Sequence, residues 1–157
     1  MSEELAEAWA AAWRGEGTFE DCCTADISYE DPVAVNPLAG AHALSEHAGR
    51  LRAAFPDLRV ERTAPVLADA DARHACIAWR AVGTHKEDLG ALPATNRFVV
   101  LQGVHLVELD DGRVRRARGF FDLYEAGIQL GLLPQRGSAA ESALLLLRGF
   151  GLRPRAT

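Results

Sequence analysis

The best candidate for abstracting a proton is Asp122. It follows Phe120 and Phe121 at the end of the last apolar strand candidate. A carboxylate beside aromatic rings is poorly solvated, which raises its pKa and makes it a better base near neutral pH. Alternatively, Asp122 caps the following segment, whose Gly127 suggests a turn. The position is therefore open to two interpretations, a general base and a cap.

A second carboxylate, Asp31, directly precedes Pro32 at the end of a short strand candidate. The residue before a proline is held in an extended conformation. An Asx-type turn that opens the next loop would explain this aspartate without any chemistry. Asp31 is nevertheless a titratable group at a strand end, where side chains can reach a pocket.

Two histidines are candidate proton donors or acceptors. His85 closes a strand and faces a loop that contains Gly90 and Pro93, a geometry typical of a pocket rim. His105 lies in mid-strand among apolar residues, where a histidine is more often a packed or interface residue than a catalyst.

The turn of the last predicted hairpin decides where His105 points. A loop of two residues, Asp111 and Gly112, places His105 on the same sheet face as Asp122. A three-residue loop from Asp110 to Gly112 moves His105 to the opposite face, and the residues sharing the face of Asp122 are then Gln102 and Glu108. The sequence alone leaves both registers open.

Aromatic residues at alternate strand positions are candidate walls of a substrate pocket, although such residues are usually core. The candidates for substrate binding are Tyr29, Trp79, Phe98 and Phe120, together with Gln102. Trp9 and Trp13 recur at helical spacing and are predicted to be core.

The order of predicted elements indicates an α+β fold, with helices first and an antiparallel meander after them. Helices are predicted from Ser2 to Gly15, from Thr18 and from Ala41 to Pro56, and the predicted strands span 27–31, 59–67, 74–85, 97–109 and 113–122. Phe98 to Leu101 is apolar on both faces, which predicts that helices or a ligand cover one face and a second subunit the other.

Composition excludes several classes of protein. The chain of 157 residues fits one domain with 48% hydrophobic residues, and we expect a core of residues 1–135 and a helical tail of residues 136–157. The net charge of −5 argues against nucleic acid as a partner. The acidic N-terminus and the lack of long apolar runs predict a cytoplasmic protein without a membrane partner. The three cysteines show no metal-ligand spacing and are expected to be reduced thiols.

Several short motifs, in order, resemble those of the SnoaL-like polyketide cyclases, which have the conical fold of nuclear transport factor 2. The motifs are Tyr29-Glu30-Asp31-Pro32, Phe55-Pro56-Asp57, Gly83-Thr84-His85, Pro93-Ala94-Thr95, Asp111-Gly112-Arg113-Val114, Phe121-Asp122 and Gln129-Leu130-Gly131-Leu132. The resemblance covers roughly residues 5 to 133. It implies a cone-shaped, curved antiparallel sheet wrapped around the N-terminal helices, a buried apolar pocket, no metal or organic cofactor and a homodimer.

The resemblance also implies roles for the carboxylates. Family cyclases use a carboxylate at the end of the last strand, which Asp122 matches, with a histidine from a neighbouring strand, for which His105 is the candidate. The segment 29–33 is similar to ketosteroid isomerase, in which the aspartate before proline is the base, and Asp31 matches that position.

The leading hypothesis is therefore a cyclase that closes a ring in a hydrophobic, polyketide-like substrate by an intramolecular aldol reaction. Asp122 would remove a proton α to a carbonyl, and His85 or His105 would polarise or protonate the enolate oxygen. Alternatives are another step in natural-product biosynthesis, such as epoxide opening, pericyclic closure or hydration, and a small-molecule-binding dimer without activity.

Overall fold

The structure is a computed structural model that describes residues 1–34 and 36–148. The α-helices are α1 (Glu3–Arg14), α2 (Ala41–Ala54), α3 (Leu123–Gln129) and α4 (Ala139–Leu147), and a 3-10 turn spans Phe19–Asp21. The strands are β1 (Cys23–Glu30), β2 (Leu38–Ala39), β3 (Arg59–Arg62), β4 (Leu67–Ala68), β5 (His74–Thr84), β6 (Phe98–Asp110) and β7 (Arg113–Phe121).

Local signals fix both ends of α1. The Ser2 hydroxyl accepts a hydrogen bond from the backbone N–H of Leu5 at 3.2 Å, and Glu3 and Glu4 lie at the positive end of the helix dipole. Gly15 ends the helix in the left-handed conformation, with φ of 80°. The predicted first helix is confirmed, and its inward face carries the buried residues Ala6, Trp9, Ala10, Ala12 and Trp13.

The strands form one curved, unclosed sheet in the order β2-β1-β7-β6-β5-β3, with β4 paired to β5. The α+β class is confirmed. One detail differs, because β1 runs parallel to β7 while the other strand pairs are antiparallel. The parallel pair arises because the chain passes through α2 and three further strands before β6 and β7 bring it back beside β1.

The β6–β7 hairpin combines features of both predicted registers. Asp111 and Gly112, with φ of 46° and 74°, form a two-residue loop, since Asp110 pairs with Arg113. The register then shifts by one residue, because Leu109 pairs with Val114 but Glu108 pairs with Arg116. Arg115 is therefore the extra residue of a β-bulge, and this bulge puts His105 and Asp122 on opposite faces of the sheet.

The inward face of the sheet packs against α1 and α2 through an aromatic core. Its largest buried side chains are Trp9, Trp13, Phe19, Tyr29 and Trp79. The ring centroids of Trp9 and Phe19 lie 5.3 Å apart in an edge-to-face arrangement, which is favourable for aromatic pairs. Aromatic side chains thus fill much of the space between sheet and helices where a pocket was predicted.

Several predicted boundaries were wrong. The strand predicted over residues 59–67 is divided into β3 and β4. β1 begins at Cys23 rather than Ile27, because a register irregularity between Cys23 and Ser28 hides the strand periodicity. Helix α3 was predicted as a turn at Gly127, but this glycine lies inside the helix, where a Cβ atom would come within 2.8 Å of Leu133.

The predicted C-terminal tail contains α4, whose residues are largely exposed. The helical tail was predicted over residues 136–157, of which residues 149–157 lie outside the described part of the chain.

Candidate functional site

The most enclosed cluster of polar side chains gathers around Asp31, at the end of β1. Its side chain is only 3% exposed. One carboxylate oxygen accepts hydrogen bonds from the backbone N–H groups of Val33 and Ala34, both at 2.7 Å. The other accepts from the Tyr29 hydroxyl at 3.0 Å and from Nε2 of His47 at 2.8 Å. The predicted Asx-type turn is therefore present, and the same aspartate also binds two buried side chains.

His47 reaches Asp31 from the inward face of α2, and its side chain is 6% exposed. A carboxylate only accepts hydrogen bonds, so Nε2 of His47 must carry the proton that it shares with Asp31. Among residues 1–34 and 36–148, no group forms a hydrogen bond with Nδ1 of His47. In the neutral ring this nitrogen therefore has a lone pair available to accept a proton.

A chain of hydrogen bonds continues from Asp31 towards β6. His105 lies 3.4 Å from the Tyr29 hydroxyl through Nε2, and its Nδ1 accepts from the indole N–H of Trp9 at 3.1 Å. An indole N–H is only a donor, which places the proton of the neutral His105 ring on Nε2. Trp9, His105 and Tyr29 therefore donate in sequence towards the Asp31 carboxylate.

Burial and hydrogen bonding set the charges in this cluster. Burial opposes ionisation of Asp31, but the hydrogen bond and charge of His47 and the N–H groups of Ala34 and Val33 outweigh it, so the pKa of Asp31 is lowered. Burial lowers the pKa of His105 to about 3, against the attraction of Asp31. Burial, followed by the charge of Asp31, raises the pKa of Tyr29. At neutral pH the cluster thus holds an ionised Asp31, a neutral His105 and a neutral Tyr29.

A cavity of about 400 Å³ borders this cluster, within the size range of small-molecule sites. His47 forms part of its wall together with Arg50, the apolar side chains Val33, Leu38, Leu51 and Leu89, and the remaining lining residues Ala34, Asn36, Pro37 and Gly90. A larger cleft of about 690 Å³ lies at the distant end of the β6–β7 hairpin, is lined mainly by charged residues and contains none of the predicted site residues. The smaller cavity is therefore the candidate site.

Asp122 is not part of this cluster. It is the N-cap of α3, where it accepts a hydrogen bond from the N–H of Glu125 at 2.9 Å and pairs with Arg136 at 3.1 Å. Its side chain is 56% exposed, and the N–H of Glu125, followed by the charge of Arg136, lowers its pKa. The predicted raised pKa is wrong because the carboxylate is exposed and hydrogen-bonded rather than buried beside the aromatic rings, and the alternative interpretation as a cap is correct.

His85 is fully buried and lies outside the cavity lining. Its ring packs against Phe55 with centroids 5.0 Å apart, and its Nδ1 accepts from the N–H of Thr95 at 3.2 Å. It therefore anchors the loop after β5 instead of forming a pocket rim. That loop still reaches the cavity, through Leu89 and Gly90.

The predicted substrate-binding residues separate onto two faces of the sheet. Tyr29 and Trp79 are buried on the inward face, where Trp79 lies 5.5 Å from the His105 ring. Phe98, Phe120 and Gln102 are exposed on the outer face, and none of them lines the 400 Å³ cavity. Side chains alternate between the two faces along β6, and the bulge at Arg115 sets which residues of β7 share each face.

Sequence reasoning missed His47 and the hydrogen bond of Trp9. His47 occupies an inward position of α2, together with the buried residues Leu44 and Ala48. The signal that identifies it is a titratable side chain among the apolar, inward positions of an amphipathic helix, because such a group needs a buried partner.

Within residues 1–34 and 36–148, no group of three or more histidine, cysteine or carboxylate side chains is arranged to hold a metal ion. None of the helices described is both long enough and apolar enough to cross a lipid bilayer.

Comparison with solved structures supports the fold. A SnoaL-like polyketide cyclase from Jannaschia sp. CCS1 shares 22% identity and a TM-score of 0.66, with 82% of this chain and 86% of that chain covered. A polyketide cyclase from Acidithiobacillus ferrooxidans shares 25% identity and a TM-score of 0.64, covering 83% and 98% of the two chains. A phenazine biosynthesis-related protein from Pseudomonas aeruginosa shares 19% identity and a TM-score of 0.66, covering 87% and 89%.

No functionally curated protein matches the sequence. The family description of the SnoaL-like polyketide cyclases, however, matches residues 3–130, which is most of the chain. The fold, the order of its motifs and this match agree, and the chain belongs to the SnoaL-like polyketide cyclase family.

Proposed function

We propose that this protein is a cofactor-independent cyclase that closes a ring in a hydrophobic, polyketide-like molecule by an intramolecular aldol reaction. The observation that carries the proposal is the 2.8 Å contact between Asp31 and Nε2 of His47, at a histidine that also lines the 400 Å³ cavity. Membership of the cyclase family supports the class of reaction.

In this proposal His47 is the general base and Asp31 positions it. Nδ1 of His47 accepts a proton from the carbon α to a substrate carbonyl, and the carboxylate of Asp31 stabilises the imidazolium that forms. The enolate carbon then attacks a second carbonyl carbon of the same molecule, forming a carbon–carbon bond and an alkoxide. His47 returns the proton to that alkoxide, so the ring closes without any net loss of atoms.

Tyr29 and His105 are positioning residues in this scheme. Both ring nitrogens of His105 and the Tyr29 hydroxyl are engaged in the hydrogen bonds that hold Asp31. The apolar walls of the cavity contribute by folding a flexible substrate so that its reacting carbons meet, which can account for a large part of a rate gain.

Proton abstraction can be tested without the natural substrate by following exchange of the C1 protons of 2-tetralone, a hydrophobic ketone, into D2O by NMR. We expect the wild-type protein to accelerate this exchange above the buffer rate, and His47→Gln to lose roughly 100-fold or more of the acceleration. The matched control is His42→Gln, on the exposed side of the same helix, which should retain the wild-type rate. Exchange at the buffer rate in the wild type, or full activity in His47→Gln, would contradict the proposal.

We further propose that the protein forms a homodimer through the outer sheet face. Phe98, Leu106 and Phe120 are all exposed on β6 and β7, and such an apolar patch on a sheet favours a symmetric contact with a second copy. Light scattering at micromolar concentration should show a dimer, and Leu106→Glu together with Phe120→Glu should shift it to monomer with unchanged circular dichroism. A monomeric wild type would refute this assembly.

A further inference from the structure

The cavity beside His47 has an uneven distribution of charge. Of its ten lining residues, Arg50 and His47 can carry positive charge and none is a carboxylate, within the described part of the chain. Asp31 lies behind His47, and its oxygens are already occupied by four hydrogen bonds. A ligand in this cavity therefore meets cationic or apolar side chains.

Among residues 1–34 and 36–148, the exposed Arg50 side chain has no hydrogen-bond or ion-pair partner. Seven other arginines of the described residues form ion pairs, namely Arg14, Arg62, Arg80, Arg115, Arg116, Arg118 and Arg136. Arginines without an ion pair there, such as Arg59 and Arg73, do not line this cavity. A guanidinium group can bind a carboxylate through two parallel hydrogen bonds, in bidentate geometry. Arg50 at the cavity is therefore suited to an anionic ligand group.

The position of Arg50 relative to His47 would orient such a ligand. The two residues are three positions apart on α2 and so lie on neighbouring turns of one helix face. His47 is buried and Arg50 is exposed. An acid bound by Arg50 would thus place its apolar body between Leu38, Leu51 and Leu89, with its inner end towards Nδ1 of His47.

We infer that the substrate is a hydrophobic carboxylic acid, bound as the carboxylate by Arg50. This inference deepens the proposed function and rests on it for the chemistry at His47. A single guanidinium in a cavity with mostly apolar walls suits one carboxylate, whereas a phosphate dianion would usually need more cations or backbone donors. A neutral ester of the same acid would lose the contact with Arg50.

The probe is 2-naphthoate, compared with its neutral methyl ester, with binding measured by isothermal titration calorimetry. We expect the wild type to bind the acid at least about tenfold more tightly than the ester, and Arg50→Gln to remove that preference while leaving ester affinity unchanged. The matched control is Arg80→Gln, which makes the same charge change on β5 outside the cavity lining and should keep the preference. Affinity for the acid should also fall with added salt.

Equal affinity for acid and ester, an acid preference that survives in Arg50→Gln, or no binding of either probe would overturn the inference. These outcomes are independent of proton exchange in 2-tetralone. Exchange that depends on His47 without acid binding at Arg50 would leave the proposed function and refute this inference. Acid binding that depends on Arg50 without any exchange would support the ligand class and refute the cyclase chemistry.

Discussion

Asp31→Asn is expected to slow 2-tetralone proton exchange by roughly 10²- to 10⁴-fold while the protein stays folded. An amide keeps the size of the carboxylate, and its one oxygen can still accept from the Val33 and Ala34 N–H groups. It cannot supply the negative charge that stabilises a protonated His47, and its own N–H₂ group competes for the same side of the ring. The readout is the exchange rate by NMR, with thermal unfolding as the check on folding.

Asp122→Asn is the matched control, since it removes the other carboxylate that family resemblance suggests. Asparagine is also a good N-cap, so both the stability and the exchange rate should remain within about twofold of the wild type. If Asp122→Asn lost activity and Asp31→Asn kept it, the base would lie at the end of β7 and the assignment of His47 would be wrong.

Acid should destabilise the protein through His105. An unfolded chain protonates this histidine near its ordinary pKa of 6.5, whereas burial lowers the pKa to about 3 in the folded protein. The contribution of neutral His105 to the free energy of unfolding is therefore fully present above pH 6.5. It is lost as the pH falls towards 3, by up to about 1.4 kcal/mol per pH unit. Between pH 6 and pH 4, the free energy of unfolding should fall by roughly 2–3 kcal/mol more in the wild type than in His105→Gln.

Urea unfolding at several pH values measures this difference. Glutamine keeps an acceptor for the Trp9 indole N–H and a donor for the Tyr29 hydroxyl but does not titrate. The lowered pKa of Asp31 acts mainly below the ordinary Asp value of 3.8, and both proteins contain this aspartate. Parallel pH dependence of wild type and His105→Gln would show that His105 is not held neutral by burial.

The helices and the hairpin were predictable because their signals are local. Ser2, Gly15 and the Asp111-Gly112 turn each fix a boundary through a cap or a left-handed backbone, and the structure has these features at the same residues. The bulge at Arg115 has no such signal, since it follows from pairing across β6 and β7. One extra residue there reverses which side chains of β6 share a face with Asp122.

The candidate site depends even more on long-range packing. Tyr29, Asp31 and His105 were predictable as candidates from residue type and strand position, but their hydrogen bonds to α1 and α2 join residues far apart in the chain. Asp122 was ranked first because its aromatic neighbours in sequence suggested burial. Alternation turns Phe121 inward, where its ring lies 5.9 Å from Trp79, whereas Asp122 is exposed as the N-cap of α3.

In the proposed mechanism Asp31 holds the Nε2–H form of His47 and leaves Nδ1 free to accept a proton. The most direct test is ¹⁵N NMR of the histidine rings in wild-type protein and Asp31→Asn, recorded up to a pH at which His47 is neutral. We predict that Nε2 of neutral His47 is protonated and Nδ1 unprotonated in the wild type, and that Asp31→Asn loses this single tautomer. A proton on Nδ1 of neutral His47 in the wild type would contradict the proposed role of His47, because that nitrogen could not then act as the base.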